Sequence, residues 1–265
     1  MPRGTYCAHP GKKRAVYDAA CQLAVFSDKL LSVEAEIFRI IKRIYRTLLP
    51  ASVRSSPIAT KLKAQVLGLR HDWIYDSGYY TIPSSEFIVR RAERIASTIL
   101  NDFRPTCVID VGCGTGALLE ALRDRGCEVL GLEYSEVALK YCHSRLLRVA
   151  KFDLEKDIFR DNRTFDVAIS MEVGEHLPEK VADRYVDLLT RLSQVIVFTA
   201  APPSQGGIDH VNEQPPSYWI SKFQQRRFKH AKELSQRWRE SWKAGGDVES
   251  YYHENLMIFR RVQQT

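Results

Sequence analysis

Between residues 107 and 200 the chain alternates short apolar runs with longer stretches whose apolar positions recur every three or four residues. The runs are Val108 to Val111, Cys127 to Leu132, Val149 to Leu154, Phe165 to Ser170 and Val195 to Phe198. Each is too short for a stable helix, and Val108 to Val111 and Val195 to Phe198 are dominated by β-branched residues, which predicts strands. Between them, helical spacing runs from Ala117 to Arg125, through Ala138, Leu139 and Cys142 behind a capping Ser135, and through Val181, Tyr185, Leu188 and Leu189. Strands alternating with helices of this length predict an α/β fold: a doubly wound, mostly parallel seven-stranded sheet with helices on both faces. Past Pro202-Pro203, Ser217 is expected to cap a helix carrying Tyr218, Trp219 and Phe223, with a basic helix near 221–243 and a terminal antiparallel strand at Asn255 to Phe259.

The first third reads differently. From Glu34 to Leu49, Ile37, Ile40, Ile41, Ile44, Tyr45 and Leu48 share one helical face, with Lys42, Arg43 and Arg46 opposite and Pro50 as the stop. A second basic helix is expected from Ile58 to Leu69. The chain therefore divides into a basic helical appendage, residues 1–70, and an α/β domain, residues 71–265, with substrate-side elements at 202–250. Residues 71–82 form the hinge, and Tyr75, Tyr79 and Tyr80 either line a pocket or pack on the sheet.

Charge follows the same division. Residues 1–100 carry 16 Lys and Arg against 8 Asp and Glu, residues 101–200 carry 13 against 17, and the last 65 carry 10 against 7. Three readings fit the basic appendage: a cap on the domain or a second subunit, a helix lying on an anionic membrane surface, or contact with nucleic acid, for which no binding module is recognisable. No apolar run reaches the about 18 residues of a membrane span. The first residues lack the layout of a signal peptide, so a cytoplasmic protein, peripherally membrane-associated under the second reading, is expected. Six scattered cysteines without a CxxC pair read as small core residues rather than a disulfide or zinc framework.

The chemistry starts at Asp110-Val-Gly112-Cys-Gly114-Thr-Gly116, between a strand and a helix. Glycine admits positive φ and leaves no Cβ to meet a ligand. A dinucleotide turn is spaced G-x-G-x-x-G and seats a pyrophosphate, which Asp110 would repel. An acid beside the glycines suits a ligand carrying positive charge. Here the chain resembles the class I S-adenosylmethionine-dependent methyltransferases (type 11/12-like), over about residues 80–205. The resemblance implies a Rossmann-like fold and S-adenosylmethionine as cofactor, held by Asp110, Gly112, Gly114 and Gly116, by Glu133 and Tyr134 after the second strand, by Asp153 and Leu154 after the third, and by Met171 at the end of the fourth. Glu133 stands where a ribose diol is bound, and Asp153 where the family contacts the adenine amino group. Ordinary structural glycines are the alternative.

A second constellation follows the fourth strand. In Glu172-Val-Gly-Glu175-His176, a helix would put the i, i+3 and i+4 side chains on one face. His210, in the polar loop Gly206 to Glu213, is the candidate fourth member. The pattern resembles ubiquinone-pathway O-methyltransferases and small-RNA 3′-terminal 2′-O-methyltransferases, in which a metal assists. Three roles stay open: Glu172, Glu175, His176 and His210 as ligands of a divalent cation such as magnesium, His176 or His210 as a general base beside Glu172 without metal, or structural roles. Residues 202–260 resemble bacterial glycan and secondary-metabolite methyltransferases, implying O-methylation of a small polar acceptor such as a sugar. A nucleic-acid or protein substrate, or a catalytically silent binding subunit, are the alternatives.

Overall fold

The computed structural model describes residues 85–207 and 209–263. The helices expected at 34–49 and 58–69 and the aromatic segment 71–82 lie outside them. Helix α1 (Ser85–Phe103) leads into β1 (Cys107–Val111) and α2 (Ala117–Arg123). Then come β2 (Glu128–Glu133), α3 (Glu136–Ser144), β3 (Val149–Lys151) and β4 (Val167–Met171). Two 3₁₀ turns, Gly174–His176 and Glu179–Val181, precede α4 (Ala182–Leu192) and β5 (Val195–Thr199). The remainder is α5 (Pro216–Gln225), β6 (Phe228–His230), α6 (Lys232–Gly245), α7 (Ser250–Asn255) and β7 (Met257–Arg261).

The seven strands form one sheet in the order β3-β2-β1-β4-β5-β7-β6. The first five are parallel, and β7 runs antiparallel to both β5 and β6. Because strand side chains alternate between faces, the sheet sorts its own apolar residues into two cores. Ile109, Val111, Ala168, Ile196, Phe198 and Phe259 pack under α4 and α5. Val108, Val167, Ile169, Val197 and Ile258 pack on the other face under α1, α2 and α6. Parallel strands buried on both faces account for the near-continuous apolar runs in the sequence.

Several local details differ from the sequence expectation. Helix α2 stops at Arg123, since Gly126 (φ +93°) turns the chain into β2. Ser135 does cap α3, its side chain accepting from the Ala138 amide at 3.3 Å, but Ser217 caps nothing. Helix α5 starts at Pro216, whose missing N–H costs nothing in a first turn. The basic helix expected at 221–243 is two helices with β6 between them, because Arg227 at φ +63° breaks the helical path. The antiparallel strand is displaced by two residues to Met257–Arg261 and is not terminal, since β6 pairs outside it. All four described cysteines, Cys107, Cys113, Cys127 and Cys142, are free thiols. Among the described residues no helix is long and apolar enough to cross a membrane.

With five strands parallel, the ends of β1, β2, β4 and β5 open at one edge, where open α/β sheets bind ligands. The opposite edge is tied by Asp166, whose carboxylate accepts from the Thr106 amide (2.7 Å), the Thr106 hydroxyl (2.7 Å) and the Cys107 amide (3.0 Å).

Candidate functional site

At the end of β1 the chain makes three positive-φ turns, at Gly112 (+81°), Gly114 (+54°) and Gly116 (+78°). The three glycines are not equivalent. A Cβ on Gly112 would collide with Val173, and one on Gly116 with Leu147 and Cys142, so both stand where packed side chains leave no room. A Cβ on Gly114 would meet nothing within 4 Å. Gly114 thus faces open space at the carboxyl edge. The Gly112 and Cys113 amides donate to the Leu132 carbonyl at 2.8 and 3.2 Å, which folds the turn back against β2.

Two buried carboxylates flank this opening. The carboxylate of Asp110, the penultimate residue of β1, accepts no hydrogen bond from the described residues, and burial, reinforced by the neighbouring Glu133 charge, pushes its pKa up to about 7. A buried acid of this kind is a place for a cationic group. Glu133 ends β2 and grips the turn: one carboxylate oxygen accepts from the Gly114 amide (2.8 Å), the other from the Ser135 amide (2.7 Å). Burial raises its pKa, and those backbone bonds pull it part of the way back.

Tyr134, Asp153, Leu154 and Met171 are all half-buried. Asp153 is engaged locally, accepting from the Glu155 amide and the Lys156 ammonium, both at 2.9 Å. Met171 ends β4 opposite Thr199 of β5.

The constellation after β4 assembles, but not on a helix face. Glu172 adopts φ +55°, which no helix continues, and only the 3₁₀ turn Gly174–His176 follows. The i, i+3, i+4 face expected for Glu172, Glu175 and His176 is therefore absent. Glu175, His176 and His210 nevertheless come together, with one potential ligand atom of each within 4.8 Å of the others. The imidazoles meet edge to face, with centroids 5.0 Å apart. His176 Nδ1 lies 3.2 Å from the Asp209 carbonyl, and His210 Nδ1 lies 2.9 Å from Glu213. Both partners only accept, so in each ring Nδ1 carries the hydrogen. The Glu175 carboxylate is fully buried with neither oxygen hydrogen-bonded among the described residues. Burial first, and then the Glu172 charge, hold its pKa well above the carboxylate range. An orphaned carboxylate beside two imidazoles fits a divalent cation by donor chemistry.

Glu172 stands beside this trio rather than in it. Its oxygens accept from the Gln205 amide (3.0 Å) and the Asn255 amide (3.3 Å), and Asn255 also donates to Gln205 at 2.7 Å. Its backbone N–H is held by the Thr199 hydroxyl at 2.9 Å. Gln205, Glu213 and Asn255 were not expected from the sequence. An acid three residues after His210 was a readable signal; the approach of Asn255, 83 residues from Glu172, was not.

The two halves of the site adjoin, since Val173 packs into the space a Gly112 side chain would fill. Beneath them the Tyr185 hydroxyl donates to Ser170 Oγ (2.5 Å), which donates to the Val111 carbonyl (2.6 Å), fastening α4 to the ends of β1 and β4.

Residues 108–194 match the family model described as a methyltransferase domain. Curated relatives include the ubiquinone biosynthesis O-methyltransferases of Methylococcus capsulatus, 36% identical over 92 residues (32% of this chain, 38% of the relative), and of Nitrosomonas europaea, 33% identical over 117 residues (42% and 49%). The chain spans less than half the length of either relative. Among solved structures, the magnesium protoporphyrin IX methyltransferase of Synechocystis, crystallised with bound S-adenosylmethionine, shares the fold: TM-score 0.53, 14% identity, 74% of this chain and 96% of that one covered.

Proposed function

We propose, from the premise that this chain carries a class I S-adenosylmethionine-dependent methyltransferase domain, that it methylates an oxygen of a small polar acceptor at the edge between the glycine turn and the Glu175–His176–His210 group. The observation that carries the acceptor chemistry is that trio, with ligand atoms within 4.8 Å of one another and an orphaned carboxylate among them. The names of the two curated relatives, both O-methyltransferases of ubiquinone biosynthesis, favour oxygen over nitrogen or carbon.

Bound S-adenosylmethionine supplies an electrophilic methyl on a sulfonium. The residues do the rest. Asp110 offers its buried carboxylate to the ligand's positive charge. Gly114 leaves the space for close approach, and Glu133 holds the turn in shape while its outer lone pairs accept from a ribose diol. Tyr134, Asp153, Leu154 and Met171 complete the cofactor wall. At the acceptor side, Glu175, His176 and His210 would hold a divalent cation, which lowers the pKa of a coordinated hydroxyl. Without one, His176 or His210 takes the acceptor proton as a general base while Glu172 orients the hydroxyl. In both cases alignment of donor and acceptor supplies most of the rate.

Titration calorimetry with S-adenosylmethionine tests the cofactor reading, and the expected result is saturable binding at one site; absence of binding leaves the silent-subunit alternative. Methyl transfer from labelled cofactor to hydroxylated acceptors, run with and without a chelator, then separates the two acceptor chemistries. Activity that disappears on chelation and returns with magnesium supports the cation. Unchanged activity in chelator, with His176→Ala inactive, supports the base.

A further inference from the structure

In loop 201–214 one carboxylate, that of Glu213, gathers the surrounding donors. Glu213 accepts three hydrogen bonds: one oxygen takes the Ser204 amide at 2.9 Å, the other takes the Gly206 amide at 2.7 Å and His210 Nδ1–H at 2.9 Å. Ser204 (φ +76°) and Gly206 (φ +69°) both turn through the left-handed region, and that path aims their N–H groups at one point. Gly207 leaves room for the imidazole: a Cβ there would overlap the His210 ring at Nε2. Both members of the pair are shielded, with 11% of the His210 side chain and 20% of the Glu213 side chain exposed.

A neutral imidazole has one hydrogen and two nitrogens, and an unfixed ring distributes that hydrogen between them. A carboxylate on Nδ1 removes the choice. We propose that Glu213 is a positioning residue that holds His210 as the Nδ1–H tautomer, so that Nε2 is the nitrogen offered to the Glu175–His176 group. A hydrogen-bonded carboxylate also makes the opposite nitrogen a stronger electron-pair donor. The same bond serves a cation ligand and a general base, because both roles need a lone pair on that nitrogen. The three bonds to one side chain further mean that the loop's shape and the ring's tautomer are set together. The inference rests on the reading of His210 as part of a methyl-transfer site.

The test compares Glu213→Ala with Glu213→Gln in the full chain. Glutamine keeps a carbonyl oxygen for Nδ1–H but cannot accept from both Ser204 and Gly206, so it loosens the loop while sparing the ring. Long-range proton–nitrogen NMR on histidine-labelled protein reads the tautomer directly. The unaltered chain and Glu213→Gln should show His210 with hydrogen on Nδ1, and Glu213→Ala a mixture with Nε2–H. Manganese titration should show affinity reduced about 10- to 100-fold in Glu213→Ala and by clearly less in Glu213→Gln, which keeps the tautomer but not the carboxylate's charge. An alanine variant that keeps the Nδ1–H tautomer overturns the proposal. So does equal loss in both variants, which makes Glu213 a loop fastener only. S-adenosylmethionine calorimetry runs alongside as a check on the fold of each variant. If the unaltered chain binds neither cofactor nor manganese, the methyl-transfer reading falls, and the tautomer comparison still decides the role of Glu213.

Discussion

Among single residues, the glycine turn separates packing from ligand contact. Gly112→Ala puts a Cβ into Val173 at φ +81°, so left-handed strain and overpacking together cost roughly 2–4 kcal/mol. A lowered thermal midpoint checks it. Gly114→Ala meets no protein atom, so it should cost only about 1 kcal/mol of stability yet abolish S-adenosylmethionine binding in calorimetry. Equal destabilisation by the two would contradict the distinction. Asp110 gives a sign that can be checked with pH. Its folded pKa, about 7 against 3.8 for an unperturbed aspartate, means the folded chain holds this proton more tightly than the unfolded one. The contribution is therefore fully present below pH 3.8 and lost as pH rises through 7, amounting to roughly 4 kcal/mol at full ionisation. Asp110→Asn should raise the melting temperature of the ligand-free protein at pH 8 far more than at pH 4, and remove cofactor binding at both.

Among strands and helices, the sequence revealed what repeats and concealed what depends on a turn. The inner parallel strands were legible because burial on both faces leaves a nearly uninterrupted apolar run, as in Val195 to Phe198, whereas β3 at the sheet's edge is largely exposed. Helix α3 was legible from its cap. Ser135→Ala should cost about 1 kcal/mol, read as a shift in the urea midpoint without a change in slope. The E-x-x-E-H segment misled because helical spacing was assumed where Glu172 takes a left-handed turn. Nothing in the residue types demands φ +55° at a glutamate; the neighbours impose it, through Thr199 below and Gln205 and Asn255 beside. Likewise β6 is three residues long, too short to leave a period, and Arg227 gives no local signal of its positive φ. The 3₁₀ turn bearing Glu175 leans on α5: Trp219 is fully buried against Tyr185, Phe198 and Gly174. Trp219→Ala should cost about 3–5 kcal/mol by denaturant titration and reduce methyl transfer more than cofactor affinity, since its ring packs directly on Gly174 in the turn that carries Glu175.

Across the domain, the candidate site draws on residues from Asp110 to Asn255. The glycine turn and its contact with Glu133 were the readable part, because these residues are consecutive or one strand apart. The other half closes through Gln205 and Asn255, which reach Glu172 across 33 and 83 residues. No spacing rule reaches that far. The position of β7 has a consequence in time rather than in space. It is the last strand along the described chain, yet it lies between β5 and β6. Until residues 257–261 have left the ribosome, β5 offers an unpaired apolar edge and β6 has no neighbour to join. The nascent domain is then an open-edged sheet, the form most prone to pair with another copy of itself. A chain halted at residue 256 should accumulate in the insoluble fraction during translation, and extension through Arg261 should restore it to the supernatant.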